Sequence, residues 1–501
     1  MRTLVPATTC VLLVPVLGAW SVALLRAPLN ADAGFYLPVA RDMARGQTLY
    51  RDLPCDYPPA VFEMLSLLGP RWLATPPVVK AVWLLVHAAN AVLLFLVLRR
   101  WRYRREMAWF SAIVFVTWTM ALDGTEIVLE PLANFFLLLA MLGTDRAGRL
   151  TSGSIVGFLF GAALMVKQYA LLSLPGMLLL LMFPRGQYEA SEPRNEGTEG
   201  SLSGETADEE RRVCRRQSAA AALLFLIAIP VPVVLYALFN GLNVVEFISH
   251  MATFGDRVDR YEVLGWRGLF VSLTSGGAAS ALSVYLVLAA VLVVIGRRGY
   301  HVALACGLLA TCGALYVRDY PHYVQLPAPW AVLVAVEFAA ILARRLAIIQ
   351  SRAVVVLLIL TLPLVPRCLA SVGVTYRIWR DDAAHAQAAV AEKVAVALPE
   401  RSDVWVLNAP WLYVLADLEA PEGDYRFVEP GVFSDQRSGD ETRQWLKTVP
   451  RFVVFAAGDI PAEDVFPRLA EAGFRPLATI KQTHQPITVF ERSPGASLRP
   501  K

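Results

Sequence analysis

The sequence predicts a mainly α-helical, polytopic membrane protein: a transmembrane bundle with a small C-terminal extracytoplasmic α/β domain. Three observations predict it. Of 501 residues, 56% are hydrophobic and 18% charged, against roughly 45–50% and about 25% in soluble domains. Apolar runs long enough to span a bilayer recur along the first three quarters of the chain. Arginines collect in alternate loops between those runs. This composition excludes a disordered chain, which needs low hydrophobicity and high net charge. A net charge of +4 is too small for a nucleic-acid partner.

The runs define the bundle, residues 1–371. The first is Leu4–Leu25. A signal peptide is the rival reading, because Ala31-Asp32-Ala33 resembles a cleavage site, but the run exceeds the roughly 7–15 residues of a signal core. It is expected to be an uncleaved span. Further spans are expected at Pro76–Leu98, Met107–Leu122, Val128–Leu142, Gly153–Val166, Tyr169–Phe183, Ser218–Phe239, Leu269–Ile295, His301–Val317, Tyr323–Ala343 and Ala353–Ala370. The total is about eleven on the span-length rule, and the shorter ones need shielding within a bundle.

Charge orients the bundle. With the N-terminus inside, the inner loops are Arg99–Glu106, Thr144–Ser152, Pro184–Gln217, Gly296–Tyr300 and Arg344–Arg352, and each carries at least two basic residues. The short outer turns carry one or none, which is the positive-inside pattern of a plasma-membrane protein. An odd number of spans places the C-terminal domain outside. The outer loop 26–75 is long, with helix-like stretches at Phe35–Arg45 and Ala60–Leu68; a second long outer loop runs from Asn240 to Arg267. Long loops of this kind are usually functional. The inner segment 187–216 begins with a Glu-, Ser- and Gly-rich stretch to Glu210 that reads as a disordered linker.

Residues 372–501 change character. An Ala-rich amphipathic helix is expected at Arg380–Leu398. Strand-like runs follow at Val404–Leu407, Tyr425–Val428 and Phe452–Ala456, with helices at Asp440–Lys447 and Pro461–Glu471 and a closing hairpin at Leu477–Gln482 and Ile487–Glu491. Alternating strands and helices indicate a small α/β domain.

Ionisable residues near membrane depth are expensive and mark functional sites. Several gather at the outer ends of spans. Asp32 follows the first; Asp123, Glu126 and Glu130 open the fourth; Lys167 and Gln168 lie beyond the fifth; Arg318, Tyr320, His322 and Tyr323 join the ninth to the tenth. A carboxylate there suits a general base toward a hydroxyl or amine. Lys, Arg, His and Tyr suit a lipid phosphate, through charge-assisted hydrogen bonds. Simpler readings stand beside these. Asp32 suits the N-cap of a helix starting near Gly34. Glu130 suits a partner for a neighbouring cation. Lys167 and Arg318 suit snorkelling span ends, and the tyrosines an interface belt. The six cysteines read as packed small hydrophobes, with no zinc spacing.

The stretch Asp32-Ala33-Gly34-Phe35-Tyr36, then Ala40-Arg41, the run Gly46 to Asp52, and Tyr57-Pro58-Pro59 resemble the first outer loop of polyprenyl-phosphate-sugar glycosyltransferases. These are the GT-C superfamily, including the protein O-mannosyltransferase (family 39) and lipid A aminoarabinose transferase families. Glu130-Pro131-Leu132-Ala133, Lys167-Gln168-Tyr169-Ala170 and Tyr320-Pro321-His322-Tyr323 resemble later segments in the same order, and Val404–Leu407 with Leu412-Tyr413 resembles the outer domain of bacterial members. The resemblance implies a GT-C-type bundle. It implies an inverting transfer of sugar from a polyprenyl phosphate, at the outer membrane face, to an acceptor that is a protein, a glycolipid or a cell-wall polymer. It makes Asp32 the base. Members often carry Asp-Glu where this chain has Asp32-Ala33, so a second acid would come from Asp123, Glu126 or Glu130. Lys167, Arg318, His322, Tyr320 and Tyr323 would serve the lipid phosphate, and Asp56 and Tyr57 the acceptor mouth. No metal ligand is assigned, although some members use a divalent cation. Two other classes remain open: a flippase for a lipid-linked saccharide, which predicts ionisable groups at the bilayer midplane, and a non-catalytic membrane scaffold.

Overall fold

The computed structural model describes residues 18–53, 55, 57–124, 126–144, 150–184, 204–252, 265–274, 279–296, 298–317, 320–346, 365–421, 425, 450–456, 462–481 and 486–493. Of the expected elements, most of the first span, most of the last, the strand beyond Tyr425 and the helix at Asp440–Lys447 lie outside them. Two compact units are present. One comprises Met1–Val22, Asp56–Ala60 and Trp83–Thr375; the other comprises Ala23–Cys55, Val61–Val82 and Tyr376–Lys501.

The described helices, in chain order, begin with α1 (Ala31–Ala44), α2 (Ala60–Ser66), α3 (Pro70–Leu73), α4 (Pro76–Arg100), α5 (Arg105–Ala121), α6 (Glu130–Thr144), α7 (Leu150–Val166), α8 (Leu174–Met182), α9 (Gly204–Ala228) and α10 (Val231–Phe239). After them come α11 (Val244–Ala252), α12 (Gly265–Thr274), α13 (Ser280–Gly296), α14 (Gly299–Thr311), α15 (Ala314–Val317), α16 (Ala328–Arg345), α17 (Val365–Asp381) and α18 (Ala383–Ala397). Among the described residues three helical stretches are long and apolar enough to cross a membrane: Pro76–Arg100, Arg212–Phe239 and Gly299–Tyr316. Shorter apolar helices lie at Glu130–Thr144, Thr151–Val166, Gln168–Met182 and Leu282–Gly296. The chain is a membrane protein.

In the larger unit, α7 and α9 pack backbone to backbone. Gly153, Gly157 and Gly161 recur every fourth residue along one face of α7. A Cβ added to each would stand 2.2 Å from the carbonyl oxygen of Ala221, Phe225 and Ile229 in turn. Small residues at this spacing let membrane helices approach until van der Waals packing holds them, where no hydrophobic force acts between them.

Two expectations change here. The span expected at Leu269–Ile295 is two helices, α12 and α13. The chain between them carries Gly276-Gly277, and adjacent glycines are poor helix formers. The linker expected to be disordered to Glu210 is already helical from Gly204; its Glu and Ala residues are good helix formers. Deep inside the bundle, the wholly buried Glu337 of α16 collects Tyr300 Oη at 2.6 Å, the Tyr103 hydroxyl, His301 Nε2 at 3.4 Å and an Arg344 guanidinium nitrogen at 3.4 Å. A buried carboxylate needs such partners.

The smaller unit contains a four-stranded sheet in the order β1-β2-β4-β3. Strands β1 (Val404–Leu407) and β2 (Phe452–Ala456) are parallel and wholly buried; β3 (Phe474–Ile480) and β4 (Ile487–Arg492) form the expected antiparallel hairpin. Parallel strands covered on both faces read as unbroken apolar runs, which VWVL and FVVFA are. Pro476 is tolerated because β3 is an edge strand with a register shift there. Trp405, Leu407, Val453, Phe455, Val465, Leu469, Phe474 and Phe490 form the core. A short helix, α19 (Trp411–Leu415), carries Tyr413, whose hydroxyl accepts the Val406 N–H at 2.9 Å.

Candidate active site

Two groups of the expected residues are described, one in each unit. In the larger unit, α6 begins at Glu130, with Pro131 in its first turn, where the missing N–H costs nothing. The chain enters it through Asp123, which holds a left-handed φ of 59°, and Glu126, whose N–H bonds the Asp123 carbonyl at 2.9 Å. Asp tolerates that conformation better than most residues.

Lys167 interrupts the helical path between α7 and α8. It adopts extended backbone and starts a 3₁₀ turn, Gln168–Ser173. A second 3₁₀ turn, Pro321–Gln325, follows Tyr320. These turns bring the expected side chains together. The Lys167 ammonium is ion-paired with Glu130. It also lies 4.4 Å from the ring centre of Tyr323 and 5.7 Å from that of Tyr169. His322 Nδ1 stands 3.4 Å from Asp123 Oδ2. Tyr320 stacks on His322 with centroids 5.3 Å apart, and Tyr323 meets His322 edge-on at 4.9 Å.

The pairing expected for Glu130 is therefore present, and Lys167 is largely buried rather than snorkelling: its side chain is 12% exposed and that of Glu130 1%. Burial strengthens both the pair and the cation–π contact, because water screens neither. Two braces that sequence reasoning missed hold the turns. Asn134 donates to the Gln325 carbonyl at 2.7 Å, and the Gln325 side chain donates to the Leu122 carbonyl. Glu130 Oε2, Asn134 Oδ1 and Gln325 Oε1 are buried with no hydrogen-bond partner among the described residues. Buried unsatisfied acceptors are rare and call for an explanation such as water or a ligand.

In the smaller unit, Asp32 lies in the first turn of α1, partly exposed. The cap expected at Asp32 is elsewhere. Asn30 is the N-cap, and its Oδ1 accepts the Ala33 N–H at 3.1 Å. Asn is as good a cap as Asp. Gly34 allows the backbone of Pro410-Trp411 to approach: an added Cβ would stand 2.4 Å from Trp411 N. Further along α1, Arg41 donates to the carbonyls of Tyr413 (3.0 Å) and Leu418 (2.9 Å), to Asp417 (2.8 Å) and to the Tyr425 hydroxyl (3.1 Å). Burial alone would lower the Arg41 pKa, but Tyr425, Asp42 and Asp417 raise it. Burial and the neighbouring Asp42 raise the Tyr425 pKa.

Tyr57 is described and half-buried; Asp56 and Arg318 lie outside the described residues. Among the described residues no group of three or more His, Cys, Asp and Glu side chains is placed to hold a metal.

No protein-family model and no curated protein matches the sequence. Solved structures do match. ArnT from Cupriavidus metallidurans, crystallised with undecaprenyl phosphate, is 14% identical, with 99% of each chain covered and a TM-score of 0.53. The chain shares the fold of that structure. The oligosaccharyltransferase of Archaeoglobus fulgidus in its apo form is 12% identical over 88% of this chain and 69% of that one, with a TM-score of 0.46. The same archaeal enzyme, AglB, with an inhibitory peptide and a dolichol-phosphate is 11% identical over the same shares, with a TM-score of 0.44. The match to ArnT takes in both the helices and the small terminal sheet.

Proposed function

We propose that this chain is an integral-membrane glycosyltransferase that moves a sugar from a polyprenyl phosphate to an acceptor on the outer face of the membrane. The observation that carries the reading is the match to ArnT along 99% of both chains. The carrier of that structure, undecaprenyl phosphate, is the class of donor lipid assigned here. About eleven spans, an inner N-terminus and an outer C-terminal domain complete the topology, on the span-length and positive-inside rules.

The chemistry follows from the residue types. Asp32 takes the proton from an acceptor hydroxyl or amine as that atom attacks the anomeric carbon. The bond between that carbon and the phosphate oxygen breaks, and polyprenyl phosphate departs with the electron pair. Attack opposite the leaving group inverts the anomeric centre. The negative charge that grows on the phosphate needs fixed cations and donors, which Lys167, Arg318, His322, Tyr320 and Tyr323 supply. Asp123 orients His322, and Glu130 orients Lys167 while keeping one oxygen for a further hydrogen bond. Glu126 stands with them as a second acidic group. Asp56 and Tyr57 shape the acceptor mouth. No step is routed through a metal.

Asp32→Asn is the test. General-base catalysis contributes about 10²- to 10⁴-fold. Mass spectrometry of surface glycans and glycolipids, from cells with and without the chain, identifies the product. The variant should lose that product while accumulating normally and binding undecaprenyl phosphate. Full product from the variant would sink the mechanism.

A further inference from the structure

The backbone that leads into Asp32 is held by groups far along the sequence. Leu29 donates its N–H to Oε1 of Gln387 at 2.8 Å, and Gln387 donates from Nε2 to the Leu29 carbonyl at 3.0 Å. Gln387 lies on α18, 358 positions later, and is buried. One side-chain amide thus satisfies both backbone groups of one residue, as a neighbouring strand would. Two residues upstream, the Lys80 ammonium donates to the Ala27 carbonyl. One residue downstream Asn30 caps α1, and Gly34 seats the helix on the Pro410-Trp411 backbone. The chain is therefore pinned on both sides of Asp32.

Leu29 itself belongs to no helix or strand. Its own elements do not set its φ and ψ, so the side-chain clamp does. A catalytic group must be held within about 0.5 Å of its working position, and a 1 Å error costs on the order of 10²-fold in rate.

We propose that Gln387 is a positioning residue for the transfer reaction. By clamping Leu29 it sets the entry of α1 and so the place of the Asp32 carboxylate. The inference rests on the reading of Asp32 as base. It gives the C-terminal α/β domain a part in the chemical step through α18.

The test uses the full-length protein and compares Gln387→Met, which keeps the length and loses both bonds, Gln387→Glu, which keeps the acceptor for Leu29 N–H, and Asp32→Asn. Three quantities are read: glycan product in cells at equal protein abundance, undecaprenyl phosphate binding to the purified protein, and hydrogen exchange of amides 29–36. Gln387→Met should lower product about 10- to 100-fold with lipid binding unchanged. It should speed exchange at 29–36 but not in Val404–Leu407. Gln387→Glu should fall between it and wild type. A merely stabilising role predicts instead that product and lipid binding fall together with the folded fraction, and that result overturns the proposal. So does full product from Gln387→Met while Asp32→Asn is inactive, which leaves the base reading intact. Full product from Asp32→Asn overturns the base reading and this inference with it. If Gln387→Met does not accumulate, the product level and exchange of Gln387→Glu decide.

Discussion

The ammonium of Lys167 sits 4.4 Å from the ring centre of Tyr323 while ion-paired with Glu130. One cation thus has a carboxylate and an aromatic face as neighbours. The carboxylate neutralises it; the ring orients it without adding a full charge. A lysine held this way keeps N–H donors for an incoming anion, since an ammonium has three.

Tyr323 should therefore matter for its ring. A cation–π contact contributes about 0.5–2 kcal/mol, which is roughly two- to thirtyfold in affinity. Tyr323→Leu is expected to weaken undecaprenyl phosphate binding within that range, and Tyr323→Phe to lose much less. Lys167→Met strands a buried carboxylate, and breaking a buried pair costs roughly 3–5 kcal/mol. Adding Glu130→Gln should restore folding, read by thermal unfolding in detergent, without restoring lipid binding.

Glu337 makes a second forecast. Replacing it with leucine leaves the Tyr103 and Tyr300 hydroxyls without their acceptor. Each buried polar group so stranded costs about 1–3 kcal/mol. Glu337→Leu is expected to lower the unfolding temperature and the yield of monodisperse protein. Glu337→Gln keeps an acceptor oxygen and should lose far less. Equal behaviour of the two variants would contradict the network.

The contact of α7 with α9 gives a third. Gly157 already leaves no room for a Cβ beside the Phe225 carbonyl. Overpacking usually costs about 1–3 kcal/mol, and here the obstacle is backbone. Gly157→Leu should abolish accumulation of folded protein, measured by size-exclusion profile. The nearby exposed Ile155→Leu should leave that profile unchanged.

The fourth concerns pH. The Tyr425 pKa is raised in the fold, by burial and then by Asp42. An unfolded tyrosine titrates near about 10. Below that value the phenol is neutral in both states and its contribution to stability is complete. Above it the unfolded chain releases the proton first, so stability falls as pH rises, by up to about 1.4 kcal/mol per pH unit. Thermal unfolding followed from neutral to strongly alkaline pH should show the decline, and Tyr425→Phe should flatten it. An unchanged slope in that variant would refute the assignment.

Much of this was legible in the residues. Apolar run length marks the helices, and unbroken β-branched and aromatic runs mark β1 and β2. Glu130, Lys167, Asp123 and His322 stand out because ionisable groups at the ends of apolar runs are conspicuous, and they do form pairs in the larger unit. Asn30 was legible as a cap only with the helix start in hand, since Asp32 satisfies the same preference two residues on. Asn134, Gln325 and Gln387 carry no local signal: each is a neutral amide bonded to a backbone atom 191 to 358 positions away. Glu337 had a signal, a lone acid in an apolar run, but its tyrosine and histidine partners come from other helices.

The pairing of Leu29 with Gln387 has a consequence for how the protein is made. At about 5–20 residues per second of synthesis, the clamp partner of Leu29 emerges tens of seconds after it. The helix that bears Asp32 is therefore translated well before α18 and α19, which supply its partners. An unfinished chain would hold this helix without its seat on Pro410 and Trp411.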